Sequence, residues 1–363
     1  MTKKIAVDCR EFYKGRITGI GRFLQNFICC APGLRPDWRF LLLGSADTTI
    51  PFELPGNVSF LAVPGGNTQV WEQVRLPAVL RSQHCDLFFS PYYKTCFFTR
   101  VPCLITIHDL TNLIYPGYCA YPDLFKPVMR AYATKASAVL TDSLNSKRDI
   151  ESLLGVSPGK ISVAYAGVDR NVFHAAPDSG AVRARYKIEG RYILSVGNSC
   201  PHKNFDGLVK AYGFLPEELK KEYSLVLAGA SGYRPSALPP GAGSCVSIER
   251  IREEDLPELY SAASLFVFPS FCEGFGLPPL EAMACSCPVI SSKASCMPEI
   301  LGEACLYFSP SDPGEMSGLM QTVLKDAVLA GALKDRGLAR AAVYLPEKSA
   351  AIILGVMESV LSR

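Results

Sequence analysis

The amino-acid sequence predicts an α/β protein built from two doubly wound parallel sheets, and three observations support this fold class. Short apolar runs alternate with helical stretches along the chain, and most lack the polar alternation of a half-exposed strand. The length of 363 residues suits two domains of ordinary size. A polar, turn-rich segment at residues 167–180 separates two series of strands and helices.

The repeated order of strand, helix and strand requires right-handed crossovers, which make both sheets parallel. We predict an N-terminal domain of residues 1–172 and a C-terminal domain of residues 173–345. Ligands of open α/β sheets bind outside the carboxyl ends of the strands, so chemistry is expected directly after strands. The predicted strands are residues 5–8, 39–44, 58–63, 86–90, 103–108, 138–142 and 161–165, then 192–197, 223–229, 245–249, 265–269, 288–291 and 305–308.

Composition excludes several classes of protein. A hydrophobic content of 48% is typical of a globular chain, and a net charge of +3 gives no nucleic-acid footprint. Residues 1–8 are predicted to form a first strand and not a signal peptide, and no apolar run approaches the roughly 18 residues of a membrane span. We therefore expect a cytoplasmic protein.

The fourteen cysteines follow no regular spacing, and no pair has the Cys-x-x-Cys spacing of a zinc site. Most lie in apolar runs, where a thiol behaves as a small hydrophobic group. We predict buried reduced thiols and no bound metal.

Two segments of the first half follow strands and carry candidate ligand-binding residues. Gly19 and Gly21 open a helix, where they permit a backbone approach to an anion or simply form an ordinary turn. Leu24 occupies the place of the third glycine of a dinucleotide fingerprint, which argues against a dehydrogenase. His108 ends an apolar strand and is either a buried structural histidine or a functional one.

Two segments of the second half have the same position after a strand. The loop of residues 196–204 holds Asn198, His202 and Lys203 before a helix, which suits a phosphate, although a solvated lysine is the simpler reading. Residues 249–255 lead into a further helix, and we predict that their acidic side chains cap it. The backbone of residues 250–252 is placed to edge a base pocket.

The most specific segment is the loop of residues 271–277 and the helix after it. Two glycines precede Pro278 and Pro279, which fit a first helical turn, and Glu281 is predicted to lie within that turn. Free amides at the Gly276–Leu277 end can hold a diphosphate, while Glu281 accepts hydrogen bonds from a ribose diol. Glu273 in the loop is expected to point toward the group that the diphosphate carries.

Residues 268–285, Phe-Pro-Ser-Phe-Cys-Glu-Gly-Phe-Gly-Leu-Pro-Pro-Leu-Glu-Ala-Met-Ala-Cys, resemble the signature of the family 4 glycosyltransferases of GT-B fold. The resemblance implies two Rossmann-like domains that face a central cleft, an acceptor-side N-terminal domain and a donor-binding C-terminal domain. It also implies a final helix, within residues 346–363, that packs back onto the N-terminal domain. Further matches in the family's order are residues 18–22, 108–109, 142–143, 167–169, 202–204, 288–290 and 298–299.

The resemblance also implies residue roles. It places Glu281 at the donor ribose, Glu273 at the sugar hydroxyls, Lys203 at the diphosphate and His108 near the reacting centre. His108, Lys203 and Glu273 are thus the predicted catalytic residues. The residues predicted to contact the donor are Gly19, Gly21, Asn198, His202, Lys203, Arg250, Ile251, Gly274, Phe275, Gly276, Leu277 and Glu281.

Two departures from the family pattern are visible. His202 stands where many relatives have arginine, which puts one phosphate contact in doubt, and Ser286 stands where relatives often have glycine. The chain contains no Asp-x-Asp pair for a diphosphate-bound metal, so neither a metal nor a cofactor is expected. The family retains the anomeric configuration, by a same-face displacement in which the leaving phosphate helps to deprotonate the acceptor.

Gly-Ile-Gly-Arg and His-Asp-Leu resemble segments of bacterial mannosyltransferases of surface-polysaccharide and lipopolysaccharide assembly, which suggests GDP-mannose as the donor. A UDP-sugar such as UDP-glucose is the alternative donor. The expected acceptor is a glycan or a lipid-linked sugar. A non-enzyme alternative is an inactive nucleotide-sugar-binding assembly partner.

Residues 92–100 and 126–135 mix aromatic side chains with cations. Such faces dock on anionic lipid, and peripheral membrane contact is therefore one expectation. A solvated surface or an acceptor groove explains the same pattern.

Overall fold

The computed structural model describes residues 2–14, 17–65, 67–117, 121–233 and 244–363. Within this part of the chain the strands form two all-parallel sheets, which confirms the predicted α/β fold class. The first sheet comprises β1 (Lys4–Asp8), β2 (Arg39–Gly44), β3 (Val58–Ala62), β4 (Leu87–Ser90), β5 (Cys103–Thr106), β6 (Ala138–Thr141) and β7 (Ile161–Val163). The second comprises β8 (Arg191–Val196), β9 (Tyr223–Ala228), β10 (Cys245–Ile248), β11 (Leu265–Phe268), β12 (Val289–Ser292) and β13 (Leu306–Phe308).

Each sheet reverses its strand order once. The first sheet has the order β3-β2-β1-β4-β5-β6-β7, so its direction of winding changes between β1 and β4. The second has the order β10-β9-β8-β11-β12-β13, with the change between β8 and β11. A doubly wound sheet opens a crevice at such a switch point, outside the carboxyl ends of the two strands.

Helices cover the two sheets. The central strands, such as β4, are buried at every residue because both faces of the sheet are covered. The helices of the first sheet are α1 (Gly19–Leu34), α2 (Thr68–Val70), α3 (Leu76–Ser82), α4 (Thr111–Ile114), α5 (Pro122–Lys135) and α6 (Leu144–Leu154). The later helices are α7 (Ala181–Arg185), α8 (Phe205–Gly213), α9 (Glu217–Glu222), α10 (Leu256–Ser261), α11 (Leu277–Ala284), α12 (Met297–Leu301), α13 (Pro313–Lys325), α14 (Ala327–Ala341) and α15 (Pro346–Leu361).

The chain divides into two compact units, each built around one sheet. The first unit comprises Met1–Ile114, Cys119–Gly167 and Pro346–Arg363, and the second comprises Tyr115–Tyr118 and Val168–Leu345. In the first unit, α15 packs against α1, and Glu358 of α15 forms an ion pair with Arg35 after α1.

Most of the described cysteines are buried, as their apolar surroundings predicted. Burial raises the pKa of the Cys285 thiol to about 12, so this side chain stays a neutral thiol in the core of the second unit. Cys119 lies outside the described residues. Among the described helices, none combines the length and the apolarity that crossing a membrane requires.

Two sequence-based predictions about helix ends are wrong. The helix α11 begins at Leu277, so Glu281 lies in its second turn and not in its first. Asp255 stands at the N-cap position of α10 but makes no capping bond; its carboxylate instead accepts hydrogen bonds from Arg185 and from the Tyr186 hydroxyl. The 3₁₀ turn Glu253–Asp255 runs directly into α10, so the backbone of Asp255 is already helical (φ −88°, ψ −18°) and not extended as in a capping residue.

Candidate active site

Lys203 and Glu273 meet at the switch point of the second sheet. Lys203 follows β8 and Glu273 follows β11, the two strands between which the winding changes. The Lys203 ammonium lies 2.7 and 2.9 Å from the two carboxylate oxygens of Glu273, and both side chains are largely buried. The structure therefore joins two of the three predicted catalytic residues in one ion pair.

The loop that carries Lys203 is held rigidly against the loop that carries Glu273. Lys203 ends a 3₁₀ turn, and Asn204 then adopts a left-handed backbone with φ of 58°. The Asn204 side chain donates to the carbonyls of Pro269, at 3.1 Å, and Pro310, at 2.8 Å. The Phe271 amide donates to the His202 carbonyl at 2.8 Å. These bonds fix the height of the ammonium above the sheet.

A left-handed glycine sets the start of α11. Gly276 has φ of +87°, and a Cβ at this position would lie 2.5 Å from the Cε atom of Met297. Only glycine therefore allows the loop to turn this closely into α11, where Leu277 has a backbone N–H and Pro278 and Pro279 have none. The Glu273 amide donates to the Ser295 hydroxyl at 3.0 Å, which anchors the other end of the loop. Gly274 and Phe275 are buried between these two points, and Leu277 is half-buried.

Glu281 lies on the face of α11 that is buried in the core. It is 1% exposed, and its Oε2 atom accepts a hydrogen bond of 2.9 Å from the Tyr260 hydroxyl of α10. A buried carboxylate requires polar partners, and Tyr260 supplies one. Glu281 thus has a fixed orientation one helical turn beyond the loop.

The remaining predicted donor contacts of the second unit occupy different environments. Asn198 is exposed and accepts from the Cys200 amide, whereas the His202 ring is buried beside Tyr115, at 6.2 Å between ring centroids. Arg250 is exposed and Ile251 is half-buried, after the edge strand β10. Since β10 lies two strands from β8, this segment starts about 10 Å along the sheet from the Lys203 loop.

His108 lies in the first unit, two residues after β5. Its Nδ1 atom is 2.6 Å from Oδ2 of Asp142, and its Nε2 atom is 3.0 Å from the Pro91 carbonyl oxygen. Phe23 of α1 packs edge-on against the ring, at 5.1 Å between centroids. Asp142 follows β6, the strand beside β5, so the sheet itself brings the carboxylate to the imidazole.

The surroundings of His108 favour its charged form. Burial acts to lower the pKa of this imidazole, but the charge of Asp142 and its hydrogen bond act in the other direction, and the net pKa is raised above the ordinary value. The second carboxylate oxygen of Asp142 has no hydrogen-bond partner among the described residues. The negative charge of this buried carboxylate is therefore balanced by His108.

Gly19 and Gly21 open α1, as predicted, behind the N-cap residue Thr18. The Thr18 hydroxyl accepts from the Gly21 amide at 3.1 Å and donates to the Glu11 carboxylate. Glu11 also accepts from the Tyr92 hydroxyl. The start of α1 is thus tied to Tyr92, two residues after β4.

Sequence reasoning missed the partners of the predicted residues. Residues 142–143 were part of the family pattern, but the pairing of Asp142 with His108 was not predicted, because it depends on β6 lying beside β5. Tyr260, Ser295 and Met297 carry no comparable signal, since each belongs to a helix or turn that only the tertiary fold brings to α11.

Two family models match the chain. Residues 182–340 match the model described as glycosyl transferases group 1, and residues 41–172 match the one described as glycosyltransferase family 4. The first range contains the Lys203–Glu273 pair and α11, and the second contains His108 and Asp142.

Curated relatives include O-antigen chain mannosyltransferase B of Escherichia coli, 32% identical over 246 residues, which are 65% of this chain and 65% of that protein. The serotype-specific mannosyltransferase WbdA of Escherichia coli is 28% identical over 253 residues, or 65% of this chain. The match spans only 31% of the length of WbdA.

Solved structures with the same fold cover almost the whole chain. Sucrose-phosphate synthase from Thermosynechococcus elongatus superposes with a TM-score of 0.79 at 19% identity, over 99% of each chain. HepE from Anabaena, solved in complex with UDP-glucose, gives a TM-score of 0.74 at 18% identity over 98% of this chain and 99% of that one. At these identities the likeness establishes the fold alone.

Proposed function

This chain belongs to the family 4 glycosyltransferases of GT-B fold, and we propose that it transfers a hexosyl group from a nucleotide-diphosphate sugar to a hydroxyl of a glycan or a lipid-linked acceptor. The observation that carries this proposal is the Lys203–Glu273 pair, whose carboxylate belongs to the loop that ends at the Gly276–Leu277 start of α11. It stands at the switch point of the second sheet, where doubly wound sheets bind their ligands.

The chemistry follows from charge development on the leaving group. Breaking the anomeric C–O bond leaves negative charge on the diphosphate, and the Lys203 ammonium and the backbone amides at Gly276–Leu277 stabilise it, since Pro278 and Pro279 have no N–H to donate. Glu273, freed from Lys203 by the diphosphate, accepts hydrogen bonds from the sugar hydroxyls. Glu281 binds the ribose diol. Its carboxylate then accepts hydrogen bonds from the diol in place of the bond that it accepts from the Tyr260 hydroxyl.

His108 is proposed to act near the reacting centre as a cation and not as a base. Both of its ring nitrogens face acceptors, so neither has a lone pair to take a proton from an acceptor hydroxyl. Proton removal is left to the departing phosphate. This assignment agrees with a retaining, same-face displacement, in which the Lys203 ammonium and the backbone amides at Gly276–Leu277 take the place of a metal.

Mannose carried by GDP is the proposed donor. The support comes from two curated relatives whose names describe mannosyltransferases, one of them of the O-antigen chain. On this support we propose that the reaction belongs to the assembly of a bacterial surface polysaccharide such as lipopolysaccharide. A UDP-sugar is the alternative donor, because HepE, which has the same fold, was solved with UDP-glucose.

A further part of the proposal is peripheral contact with a membrane. Tyr121, Leu124 and Val128 are exposed on successive turns at one face of α5. Phe98 is also exposed, and the ring of its neighbour Phe97 packs on Tyr132 of α5. The cations Lys126, Arg130 and Lys135 outnumber the single carboxylate of this helix, Asp123. An apolar face with surrounding cations suits an anionic lipid surface.

A donor panel tests the proposed reaction. The thermal stability of the full chain is measured with GDP, UDP and ADP and with their mannosyl or glucosyl derivatives, and nucleotide release is followed in parallel. We expect GDP-mannose to raise the Tm most, because it is the proposed donor. A ligand at one hundred times its Kd stabilises the folded state by about 2.7 kcal/mol. Lys203→Ala is expected to lower nucleotide release roughly a hundredfold, since it removes a preorganised charge from the leaving group.

Two controls sharpen the result. Lys210→Ala removes an exposed lysine from α8 and should leave nucleotide release unchanged. The double variant Lys203→Ala, Glu273→Gln also removes the charge that Lys203→Ala leaves unpaired but keeps a polar group for the sugar hydroxyls, so it separates lost catalysis from repulsion of the donor. Full activity of Lys203→Ala contradicts the proposal, and binding of a donor without release or transfer supports the inactive binding protein.

A further inference from the structure

The segment after β12 holds the loop that carries Glu273. Ser292 ends β12, and its hydroxyl donates to the Ser270 carbonyl at 2.6 Å. Further along the chain, the Ser295 hydroxyl accepts from the Glu273 amide at 3.0 Å, and the Cys296 thiol donates to the Glu273 carbonyl at 3.2 Å. Two consecutive residues thus hold the backbone of Glu273 on both sides of its Cα atom, and we call Ser295 and Cys296 the Glu273 clamp.

Ser295 has a backbone conformation that favours glycine. Its φ of 46° lies in the left-handed region, where a side chain is strained relative to glycine. Such a conformation persists only where surrounding contacts hold it. The Ser295 hydroxyl makes such a contact, because it is the acceptor for the Glu273 amide. Glycine would relieve the strain but lose this acceptor, so the bond to Glu273 accounts for a serine at this position.

The Cys296 thiol is suited to act as a permanent donor. It is fully buried, and burial raises its pKa well above the ordinary value, with a smaller contribution from the Glu273 carboxylate. The sulfur therefore keeps the proton that it donates to the Glu273 carbonyl. The Ser295 hydroxyl also bonds to this sulfur, so the two side chains of the Glu273 clamp support each other.

Further bonds keep the helix behind the Glu273 clamp in place. This helix is α12, whose last carbonyls accept from the side chain of Arg340 in α14, at 2.6 Å for both Glu299 and Ile300. The Tyr307 hydroxyl of β13 donates to the Gly302 carbonyl at 2.7 Å, where α12 ends. Because α12 is tied to two other elements of the second unit, the Glu273 clamp is a rigid reference for the loop.

Glu273 has to change partners in the proposed reaction. Its carboxylate is bound to the Lys203 ammonium, at 2.7 and 2.9 Å, and the sugar hydroxyls would replace that partner. With its amide and carbonyl both bonded, Glu273 can keep these bonds only if its side chain alone rotates. A rigid backbone is needed for this, because a catalytic site requires its groups within about 0.5 Å of the productive position.

We propose that Ser295 and Cys296 are positioning residues for the donor sugar: by holding the backbone of Glu273, they direct its carboxylate to the sugar hydroxyls once the diphosphate has taken Lys203. This proposal deepens the proposed function and rests on it. Both residues act through Glu273 and need no contact with the donor. The Glu273 clamp should therefore affect the sugar half of the donor and not the nucleotide half.

Donor use tests this role. Nucleotide release from GDP-mannose and affinity for GDP are measured in the full chain, or with UDP-glucose and UDP if the donor panel selects that pair. We expect Ser295→Ala and Cys296→Ala each to lower kcat/KM for the nucleotide sugar about tenfold and to leave the affinity for the free nucleotide within about twofold, since only the sugar-binding carboxylate is misplaced.

Two further variants serve as rescue and control. Cys296→Ser keeps a donor for the Glu273 carbonyl and should recover most of the activity. Ser317→Ala removes a buried hydroxyl of α13 that has no hydrogen-bond partner among the described residues, and it should behave as the wild-type chain does. Activity of Cys296→Ser no better than that of Cys296→Ala overturns the role of the thiol as a donor.

A double-mutant cycle separates positioning from a merely structural role. Because the Glu273 clamp acts through the Glu273 carboxylate, Ser295→Ala should have almost no further effect on kcat/KM in a Glu273→Gln background. Additive losses in the double variant overturn the proposal. So does a loss of affinity for the free nucleotide that equals the loss of kcat/KM.

Ser295→Gly covers the case in which Ser295→Ala folds poorly. It loses the same hydrogen bond but relieves the left-handed strain, so its Tm should exceed that of Ser295→Ala while its kcat/KM falls equally. If kcat/KM recovers together with the Tm, activity follows stability and the proposal is overturned.

Hydrogen exchange distinguishes this proposal from the proposed function. Without any nucleotide, the Glu273 amide should exchange faster in Ser295→Ala than in the wild-type chain, because its acceptor is lost. Unchanged exchange overturns the Glu273 clamp. Faster exchange with unchanged kcat/KM overturns only its role in positioning, and the proposed function stands. If the wild-type chain neither binds nor cleaves a nucleotide sugar, the proposed function fails and the role at the sugar fails with it.

Discussion

His108 has a hydrogen-bond acceptor at each ring nitrogen, and this arrangement determines its charge. The Asp142 carboxylate and the Pro91 carbonyl each require a donated proton, which only the imidazolium supplies at both positions. Burial alone would lower the pKa, but Asp142 raises it above the ordinary value of about 6.5. The side chain is therefore suited to stabilise negative charge and not to remove a proton.

This arrangement predicts the pH dependence of the first unit. Because the pKa of His108 is raised in the folded state, its stabilising contribution is complete below the unfolded pKa of about 6.5 and is lost as the pH rises through the folded pKa. Asp142→Asn should lower the pKa of His108, which an NMR titration of the imidazole signals can follow in a chain with four histidines.

The exposed His174 serves as the internal reference, because it lies in the other unit and should not respond to Asp142→Asn. Asp109→Asn is the matched variant, since it removes a neighbouring carboxylate without removing the hydrogen bond. An unchanged titration of His108 in Asp142→Asn contradicts the proposed pairing.

Single residues also show where sequence reasoning ends. Lys203 and Glu273 were predicted separately, from a loop before a helix and from a Gly-rich turn. Their ion pair was not, because it joins positions 70 residues apart and depends on β8 and β11 being neighbours in the sheet. The residue type is visible in the sequence, whereas the partner is a property of the fold.

At the scale of one element, the start of α11 depends on Gly276. Gly276→Ala forces a side chain into the left-handed region and against Met297, which should destabilise the second unit by roughly 1–3 kcal/mol. The displaced loop should also weaken nucleotide binding, because the backbone amides at Gly276–Leu277 shift with it. Thermal unfolding and nucleotide titration measure the two effects.

Gly318→Ala is the matched control for this change. Gly318 lies inside α13, has an ordinary backbone conformation, and a Cβ there would meet nothing within 4 Å. Alanine should therefore stabilise the helix by about 0.5–1 kcal/mol and leave nucleotide binding unaffected. Equal Tm values for both variants would argue against a special role of Gly276.

The end of α11 explains one departure from the family pattern. Ser286 has φ of +59°, and the Cys287 amide bonds to the Ala282 carbonyl in the manner of a helix end that favours glycine at this position. The start and the end of α11 thus differ in how well the sequence predicted them. The prolines at 278 and 279 predicted the start of α11 within a residue. The helical turn in which Glu281 lies depended on the residue at which the loop ends and the helix begins, which is Leu277.

At the scale of the whole molecule, both sheets place polar side chains at their switch points. The strands could be predicted because buried parallel strands are short continuous apolar runs. The order of the strands could not, since crossover connections of similar length lead to either side of a sheet. The lining of one cavity in the first unit could therefore not be predicted from the sequence. It comes from loops as far apart as residues 10 and 94, and only the order β2-β1-β4 brings them together.

The surface of the first unit carries the last prediction, which concerns membrane contact. Phe98 is 77% exposed and Leu124 is 69% exposed. Leu124 belongs to α5, which also carries the cations Lys126 and Arg130. We expect the full chain to sediment with vesicles that contain anionic phosphatidylglycerol and not with neutral phosphatidylcholine vesicles. Lys126→Ala with Arg130→Ala should weaken binding about thirtyfold, because each cation near an anionic surface contributes about 1 kcal/mol.

The apolar contribution is tested by Phe98→Ala with Leu124→Ala, which should weaken binding to the same vesicles without changing its dependence on salt. Val328→Ala removes a side chain of α14 in the other unit that is 83% exposed, and it should bind as the wild-type chain does. If sedimentation does not depend on anionic lipid, or if Val328→Ala weakens it as much as the paired variant, this face of α5 is a solvated surface and the lipid-linked class of acceptor loses its support.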